Sequence, residues 1–311
     1  MDSHGSRHDE ATGIALVLLS TASYATLPIL GKVAYGAGVE TGPLLAWRFT
    51  LGGLLLAFLG GGARLPLGQR VRLWGIGLVF MLNAFSYFVA LRTVPASTAV
   101  LLVYSYPVMV TLLSAITGLE PLTRRGVLAA VLAFAGCGLT ARGTVTGGAA
   151  VLLVLLSAFC YASYVVLSGR FARDVPSAVV AAHLAQVGAV AAIPFALLEG
   201  NLALPPRADA WLSVLAIAVI STVVAVRAFI SGMNRIGPAR ASVLSSLEVV
   251  MATGLAIVFL GERLSLTQLL GAALIVGGVA LQNMAVLRQL AGIFDHWKAS
   301  PASTMIGGKE H

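Results

Sequence analysis

The sequence predicts an all-α membrane protein whose ten transmembrane helices form two inverted five-helix repeats. Three observations lead to this class: a shortage of charges, a series of long apolar runs, and an internal repeat. Of the 311 residues, 58% are hydrophobic and 10% are charged, and the mean hydropathy is +0.93. A soluble domain carries about 25% charged residues, so most of this chain's surface must be solvated by lipid.

Ten apolar runs, which we call segments 1 to 10, follow one another with short loops between them. A span of the hydrocarbon core takes about 20 residues, and segment 5 is close to the lower limit. Each run is predicted to be a helix, because backbone polar groups in lipid must be satisfied within the segment. In chain order, segments 1 to 10 are predicted at 13–35, 42–60, 73–91, 96–117, 126–141, 148–168, 177–198, 210–231, 239–260 and 266–287.

The distribution of Lys and Arg predicts the orientation. With the N-terminus inside, the cytoplasmic loops and tails hold 13 of these residues and the opposite side holds 5. The positive-inside rule then places both termini in the cytoplasm of a multi-pass protein of the cell inner membrane. The predicted organisation is a cytoplasmic tail at 1–12, a first repeat at 13–141, a second repeat at 148–287 and a cytoplasmic tail at 288–311.

Segments 4 and 9 end in similar sequences that lie 142 residues apart, Leu119–Thr123 and Gly261–Ser265. Because each copy contains an odd number of helices, the second copy enters the membrane in the opposite direction. Inverted repeats are typical of transporters that work by alternating access around a site near the midplane. The matching Glu120 and Glu262 stand at helix ends, where we predict a loop or capping role.

Several motifs carry a resemblance to a known family, and they are Trp47–Phe49, Tyr104–Val108, Gly118–Thr123, Leu247–Val249, Leu260–Ser265 and Gly271–Gly278. In these motifs the chain resembles the EamA-type transporters of the drug/metabolite transporter superfamily over about residues 12–287. Val249 stands where that family often has proline.

The resemblance implies an integral membrane exporter of small organic metabolites. It also implies a central cavity lined mainly by segments 3, 4, 8 and 9, with segments 1 and 6 helping to gate. Amino acids, aromatic ones included, are the favoured substrates, since aromatic amino acid exporters of the YddG type share this architecture. Drugs and other metabolites are the alternative.

Glu248 is the foremost candidate for substrate binding. It lies about nine residues into segment 9, roughly 14 Å along the helix and near the bilayer centre. An ionisable group at that depth is costly and is a functional hint by default. Its carboxyl group would bind a substrate ammonium or a proton, with Ser245 on the same helical face. The alternative is a protonated side chain that is hydrogen-bonded to a neighbouring helix.

The other candidates are polar side chains expected within the spans. A tyrosine ring can stack on a flat substrate while its hydroxyl group donates a hydrogen bond, although ordinary packing is the alternative for each ring. Arg227 is a second charged candidate, with snorkelling to the interface as its alternative. Arg48 is interpreted as structural. The remaining candidates are Tyr24, Asn83, Tyr87, Tyr104, Tyr106, Tyr161, Tyr164 and His183, and the predicted bend points are Pro28, Pro107 and Pro194.

No enzyme signature is apparent, so the sequence predicts no catalytic residues, no metal and no cofactor. The net charge of +8 is scattered between apolar runs rather than clustered in a stripe, which argues against nucleic acid as a partner. The expected partners are a small-molecule substrate and membrane lipid. A passive channel and a membrane-embedded enzyme are the alternative classes, and the oligomeric state stays open.

Overall fold

The computed structural model is helical throughout the part of the chain that it describes, with no β-strand there. It describes residues 3–61, 65–118, 121–142, 148–172, 174–198, 204–237 and 244–282, together with Leu202, Ala241 and Met284. Within these ranges, eight helical stretches are long and apolar enough to cross a membrane, and two shorter apolar helices follow them. Large apolar side chains such as Phe58, Val190 and Val258 are exposed on the outside, as a lipid solvent requires. The prediction of an all-α, multi-pass membrane protein is confirmed.

The helices follow the predicted segments in order. Segments 1, 4 and 8 each consist of two parts, and segment 9 is interrupted at Ser246. Segment 8 is joined through a π-helical turn at Val219–Val224, and segment 2 ends in another at Ala57–Gly61. The bounds, from segment 1 to segment 10, are Ser3–Ala25 with Leu27–Gly36, Thr41–Leu56, Leu67–Leu91, Ala96–Val103 with Tyr106–Ile116, Arg124–Arg142, Gly148–Phe171, Ser177–Leu198, Ala208–Ala218 with Ala225–Ile236, Leu247–Leu260, and Leu266–Gln282.

Two of the three predicted bend points coincide with interruptions. Pro28 and Pro107 each lie in the first turn of the second helix of their segment. A proline is tolerated there because the first-turn N–H groups have no intrahelical partner. Pro194, the third, lies inside the helix of segment 7, which continues through it to Leu198, so its role as a bend point stays a prediction.

Segment 5, which was expected to be close to the lower limit for a span, forms a helix of 19 residues. In segment 9, helix is present at Ala241 and at Leu244 and Ser245, and it resumes as the 14-residue helix Leu247–Leu260. The helical backbone of segment 9 is broken at Ser246. A side chain of the candidate site contacts the residue before this break, as described below.

Each segment of the first half packs against segments of the second half. The pairings include 1 with 8, 2 with 7, 3 with 6, 4 with 9 and 5 with 10, and segment 4 also packs against segment 6. Segments 5 and 10 run antiparallel, since Gly136 lies against Gly271 and Ile275 while Gly278 lies against Ala129. Small residues at such a crossing let the two backbones approach closely. These pairings bring segments 3, 4, 6 and 9 together around the interior of the bundle.

Candidate substrate site

The interior of the bundle contains a cavity with about 650 Å³ of empty space, its open side included. Segments 1, 2, 3, 4, 6 and 9 supply its walls. Most of the residues predicted from the sequence meet here, and those that line the cavity are Tyr24, Asn83, Tyr87, Tyr104, Tyr106, Tyr161 and Glu248.

Glu248 is held by the tyrosine of the opposite half. The hydroxyl group of Tyr104 lies 2.7 Å from Oε2 of Glu248 and 2.5 Å from the backbone carbonyl oxygen of Ser245. Ser245 therefore contributes its backbone to the site, while its side chain does not line the cavity. The hydroxyl group links segment 4 to segment 9 at the depth of the carboxylate.

The same contact accounts for the break in segment 9. The amide of Val249 donates to the carbonyl oxygen of Ser246 at 3.2 Å, rather than to Ser245 as a continuous helix would require. The carbonyl of Ser245 is instead the acceptor for Tyr104. A side chain inserted into the helical ladder is a known cause of a kink. The helix then restarts with Glu248 in its first turn, where the helix dipole favours negative charge.

Asn83 joins segment 3 to segment 6 on the cavity wall. Its amide nitrogen donates to the carbonyl oxygen of Ser157 at 2.9 Å and to the hydroxyl oxygen of the same residue at 2.8 Å. Because both contacts use the nitrogen, the carbonyl oxygen of Asn83 is the atom that remains to accept a bond from a ligand.

The tyrosines form a continuous series of ring contacts across the cavity. The ring centroids of Tyr104 and Tyr106 are 5.4 Å apart, and those of Tyr106 and Tyr161 are 4.7 Å apart. Tyr164 extends the series to Phe80, with centroid distances of 5.5 Å to Tyr161 and 5.0 Å to Phe80. Tyr164 is thus behind the wall rather than part of it. Such edge-to-face contacts are favourable and keep several rings at fixed positions around one space.

Besides Tyr164 and the side chain of Ser245, two further predicted residues do not reach this cavity. The side chain of Arg227 is exposed, whereas its neighbours Val226 and Ala228 are buried. His183 is buried, and its Nδ1 lies 2.8 Å from the carbonyl oxygen of Val179 in its own helix. The family resemblance implied that segment 8 lines the cavity, but none of the lining residues belongs to it. Segments 1, 2 and 6 contribute lining residues in addition to segments 3, 4 and 9.

Arg48 and Ser157 line the cavity but were not predicted to do so. Arg48 was interpreted as structural because it lies toward the outer end of segment 2. A cation inside an apolar run was nevertheless a usable signal, since intramembrane charges usually face the interior or a wet cavity. Ser157 gave no such signal, because serine is common at helix contacts.

The N-terminal end of segment 4 is capped from segment 9. Gly261 adopts a left-handed conformation (φ 66°) that ends the segment 9 helix, and Glu262 then reaches across. Its carboxylate accepts bonds from the amides of Ala96 and Ser97 at 2.7 and 2.9 Å, and from the Ser97 hydroxyl group at 2.5 Å. The capping role predicted for Glu262 is confirmed, whereas Glu120 lies outside the described residues.

A membrane bundle with a few polar side chains in an interior cavity is typical of the class of polytopic transport proteins. Within the described residues, no group of three or more His, Cys, Asp or Glu side chains is placed to hold a metal ion. The sequence matches the EamA-like transporter family over residues 11–142 and again over 148–284. The chain therefore belongs to this family of the drug/metabolite transporter superfamily, and it is a transporter rather than an enzyme.

Named relatives cover most of the chain. It is 32% identical to a protein of Ancylobacter novellus named aromatic amino acid exporter YddG, over 79% of this chain and 88% of that protein. It is 28% identical to the uncharacterized transporter YcbK of Bacillus subtilis, over 85% and 90% of the two chains. A solved crystal structure with 27% identity superposes with a TM-score of 0.67, over 90% of this chain and 99% of the other.

Proposed function

We propose that this protein exports small organic metabolites by alternating access, and that amino acids, including aromatic ones, are its substrates. The observation that carries the proposal is a carboxylate, Glu248, in an interior cavity whose wall includes five tyrosine rings. A carboxylate binds an ammonium group, and tyrosine faces attract both cations and flat side chains. The name of the Ancylobacter relative supports the same substrate class and the outward direction.

Alternating access calls for two inverted halves, and the packing supports that arrangement. The counterpart of each segment lies five segments earlier or later in the chain. When every segment in the set of pairs is replaced by its counterpart, the same set of pairs results, so 1 with 8 becomes 6 with 3. Segments 2 and 7 run antiparallel, since Gly53 lies against Ala185 and Gly188 lies against Phe49. Segments 4 and 9 are antiparallel too, because Glu262 at the end of one caps Ala96 at the start of the other. Antiparallel counterparts are what an inverted repeat produces.

The same reasoning supports ten spans, with repeats at 13–141 and 148–287 and both termini in the cytoplasm of an inner membrane. Two separate family matches support the two units. An even number of spans leaves both ends on one side, and the 13 to 5 distribution of Lys and Arg makes that side the cytoplasm. Cysteine-accessibility labelling at Gly68, in the first turn of segment 3, and at Glu40, just before segment 2, would test the orientation, because the two positions lie on opposite sides of the predicted membrane.

Transport is tested most directly with the purified full-length chain in liposomes. Labelled phenylalanine, threonine and a panel of drugs and other metabolites would be offered to vesicles preloaded with the same unlabelled solute. The expected result is saturable counterflow of phenylalanine above protein-free vesicles. Flux that rises linearly with concentration would instead identify a channel, and the absence of flux for every solute would contradict the proposal. Lower retention of phenylalanine in cells that overproduce the protein would establish export.

A further inference from the structure

Arg48 is a buried cation in the wall of the cavity and has no carboxylate partner among the described residues. Its side chain is only 2% exposed, and it lines the same space as Glu248. The ion pairs in the described ranges are Arg207 with Asp209 and Arg235 with Asp9, both at the ends of helices. Burying an unpaired charge is strongly unfavourable, so its presence here calls for a compensating ligand or a specific role.

The guanidinium group is held in one orientation by segments 2, 3 and 8. Its Nε donates to the hydroxyl oxygen of Thr222 at 2.8 Å, and that hydroxyl group donates to the carbonyl oxygen of Ile217 at 3.1 Å. The Ile217 contact spans five residues and belongs to the π-helical turn at Val219–Val224. The guanidinium carbon also lies 4.9 Å from the ring centroid of Phe49 and 5.5 Å from that of Phe88.

These contacts leave one terminal nitrogen of the guanidinium group without a hydrogen-bond partner. Nη1 of Arg48 is buried and has no hydrogen-bond partner in the described structure. Thr222 occupies Nε and the two phenylalanine rings lie near the planar group, so the terminal nitrogen is the part that remains for a ligand in the cavity. The planar fork of arginine matches the two oxygens of a carboxylate.

Glu248 provides the opposite charge in the same cavity. Tyr24 and Tyr87 line the cavity together with both charged groups. Apart from Asn83 and Ser157, the rest of the wall is aromatic or apolar, as at Phe80. A ligand that satisfies both charges carries a carboxylate and an ammonium group, and the remaining wall accommodates an apolar or aromatic side chain.

We propose that Arg48 binds the α-carboxylate of a zwitterionic amino acid whose ammonium group binds Glu248. This assignment rests on the proposed transport function. It adds a binding partner for the carboxylate, which is the group that distinguishes amino acids from simple amines. It makes Arg48 a specificity-determining residue rather than a packing residue of segment 2.

The test compares three ligands as inhibitors of labelled phenylalanine counterflow in liposomes that contain the full-length protein. Unlabelled phenylalanine has both charged groups, phenethylamine lacks the carboxylate, and 3-phenylpropionate lacks the ammonium group. In the wild type, phenylalanine should inhibit at concentrations about tenfold lower than either analogue, because each lost charged contact is a lost charge-assisted hydrogen bond.

The variant Arg48→Gln should weaken inhibition by phenylalanine about tenfold while changing inhibition by phenethylamine less than about twofold. Arg92→Gln is the matched control, since Arg92 is exposed at the end of segment 3, and it should behave as the wild type. Thr222→Val keeps the charge but removes the Nε contact, and it should produce a smaller loss with the same selectivity for phenylalanine. This second variant provides the test if Arg48→Gln does not fold.

Equal weakening of phenylalanine and phenethylamine would show a structural role for Arg48 and overturn the inference, while leaving the transport proposal intact. Wild-type inhibition by phenethylamine or 3-phenylpropionate that equals inhibition by phenylalanine would also overturn it. A wild-type protein without any counterflow would remove the proposed function itself and this inference with it.

Discussion

Segments 4 and 9 are counterparts in the two halves, and both are interrupted near the middle. The backbone at the interruption is nearly the same in each, with φ −71° and ψ −14° at Ser105 and φ −63° and ψ −19° at Ser246. In segment 4 the helix restarts with Pro107 in its first turn. In segment 9 no proline is present, and the hydroxyl group of Tyr104 takes the carbonyl of Ser245 out of the helical ladder.

The comparison shows that one backbone shape can have two physical causes. A local cause, the missing N–H of proline, acts in segment 4. A tertiary cause, the hydroxyl group of a residue from segment 4, acts in segment 9. The chemistry at the two breaks differs as well, since segment 4 supplies tyrosines and segment 9 supplies the carboxylate of Glu248. The cavity is therefore chemically asymmetric although the surrounding fold is paired.

Replacing Glu248 tests whether transport depends on the carboxylate that segment 9 supplies and segment 4 does not. This replacement should have the largest effect. Glu248→Gln keeps the size of the side chain but removes its charge, so phenylalanine counterflow at low concentration should fall about tenfold to a hundredfold. Glu40→Gln is the control, because Glu40 is exposed and makes no side-chain cap at the start of segment 2. Wild-type counterflow in Glu248→Gln would remove this carboxylate from the mechanism.

Removing the hydroxyl group of Tyr104 tests whether segment 4 imposes the break on segment 9. In Tyr104→Phe the carbonyl of Ser245 becomes available to Val249, so hydrogen exchange at Val249 should slow while counterflow falls by about tenfold. Tyr164→Phe is the matched control, since Tyr164 belongs to the same series of rings but lies behind the cavity wall. Unchanged exchange at Val249 would mean that the break has another cause.

Removing the cap at the N-terminal end of segment 4 tests the second contact between these segments. Glu262→Gln should lower the free energy of unfolding by about 1–2 kcal/mol, because a charged acceptor for the first amides of segment 4 is lost. A lower melting temperature of the purified protein in detergent would show this loss. Glu40→Gln again serves as the control, and a melting temperature equal to that of the wild type would mean that the cap does not stabilise the fold.

Replacing Pro107 tests the local cause and should have the smallest effect on stability. Pro107→Ala should change the free energy of unfolding by less than about 1 kcal/mol, because a first-turn residue needs no amide partner. The amide that this substitution introduces should nevertheless become protected from hydrogen exchange by bonding to Val103. Pro194→Ala, in the uninterrupted helix of segment 7, is the comparison. Free exchange of the introduced amide in Pro107→Ala would show that the break persists without proline.

Sequence reasoning located the depth of the candidate site better than the helix faces that line it. Glu248, Asn83 and most of the tyrosines were predicted because polar groups are costly in hydrocarbon, wherever they point. That argument did not separate Arg227, which was predicted to bind substrate but is exposed, from Arg48, which was interpreted as structural but lines the cavity. Each is a cation in an apolar run, and only the packing of neighbouring helices exposes Arg227 and turns Arg48 toward the cavity.

The sequence by itself determined that this chain enters a membrane as helices, that it belongs to a transporter family, and where proline interrupts segments 1 and 4. These properties follow from composition and from local backbone chemistry. The tertiary structure alone decided the break at Ser246 and the orientation of Arg48. The Tyr104 contact to Ser245 joins residues 141 positions apart, and the Arg48 contact to Thr222 joins residues 174 positions apart. Contacts of that range exist only after the two halves have packed together.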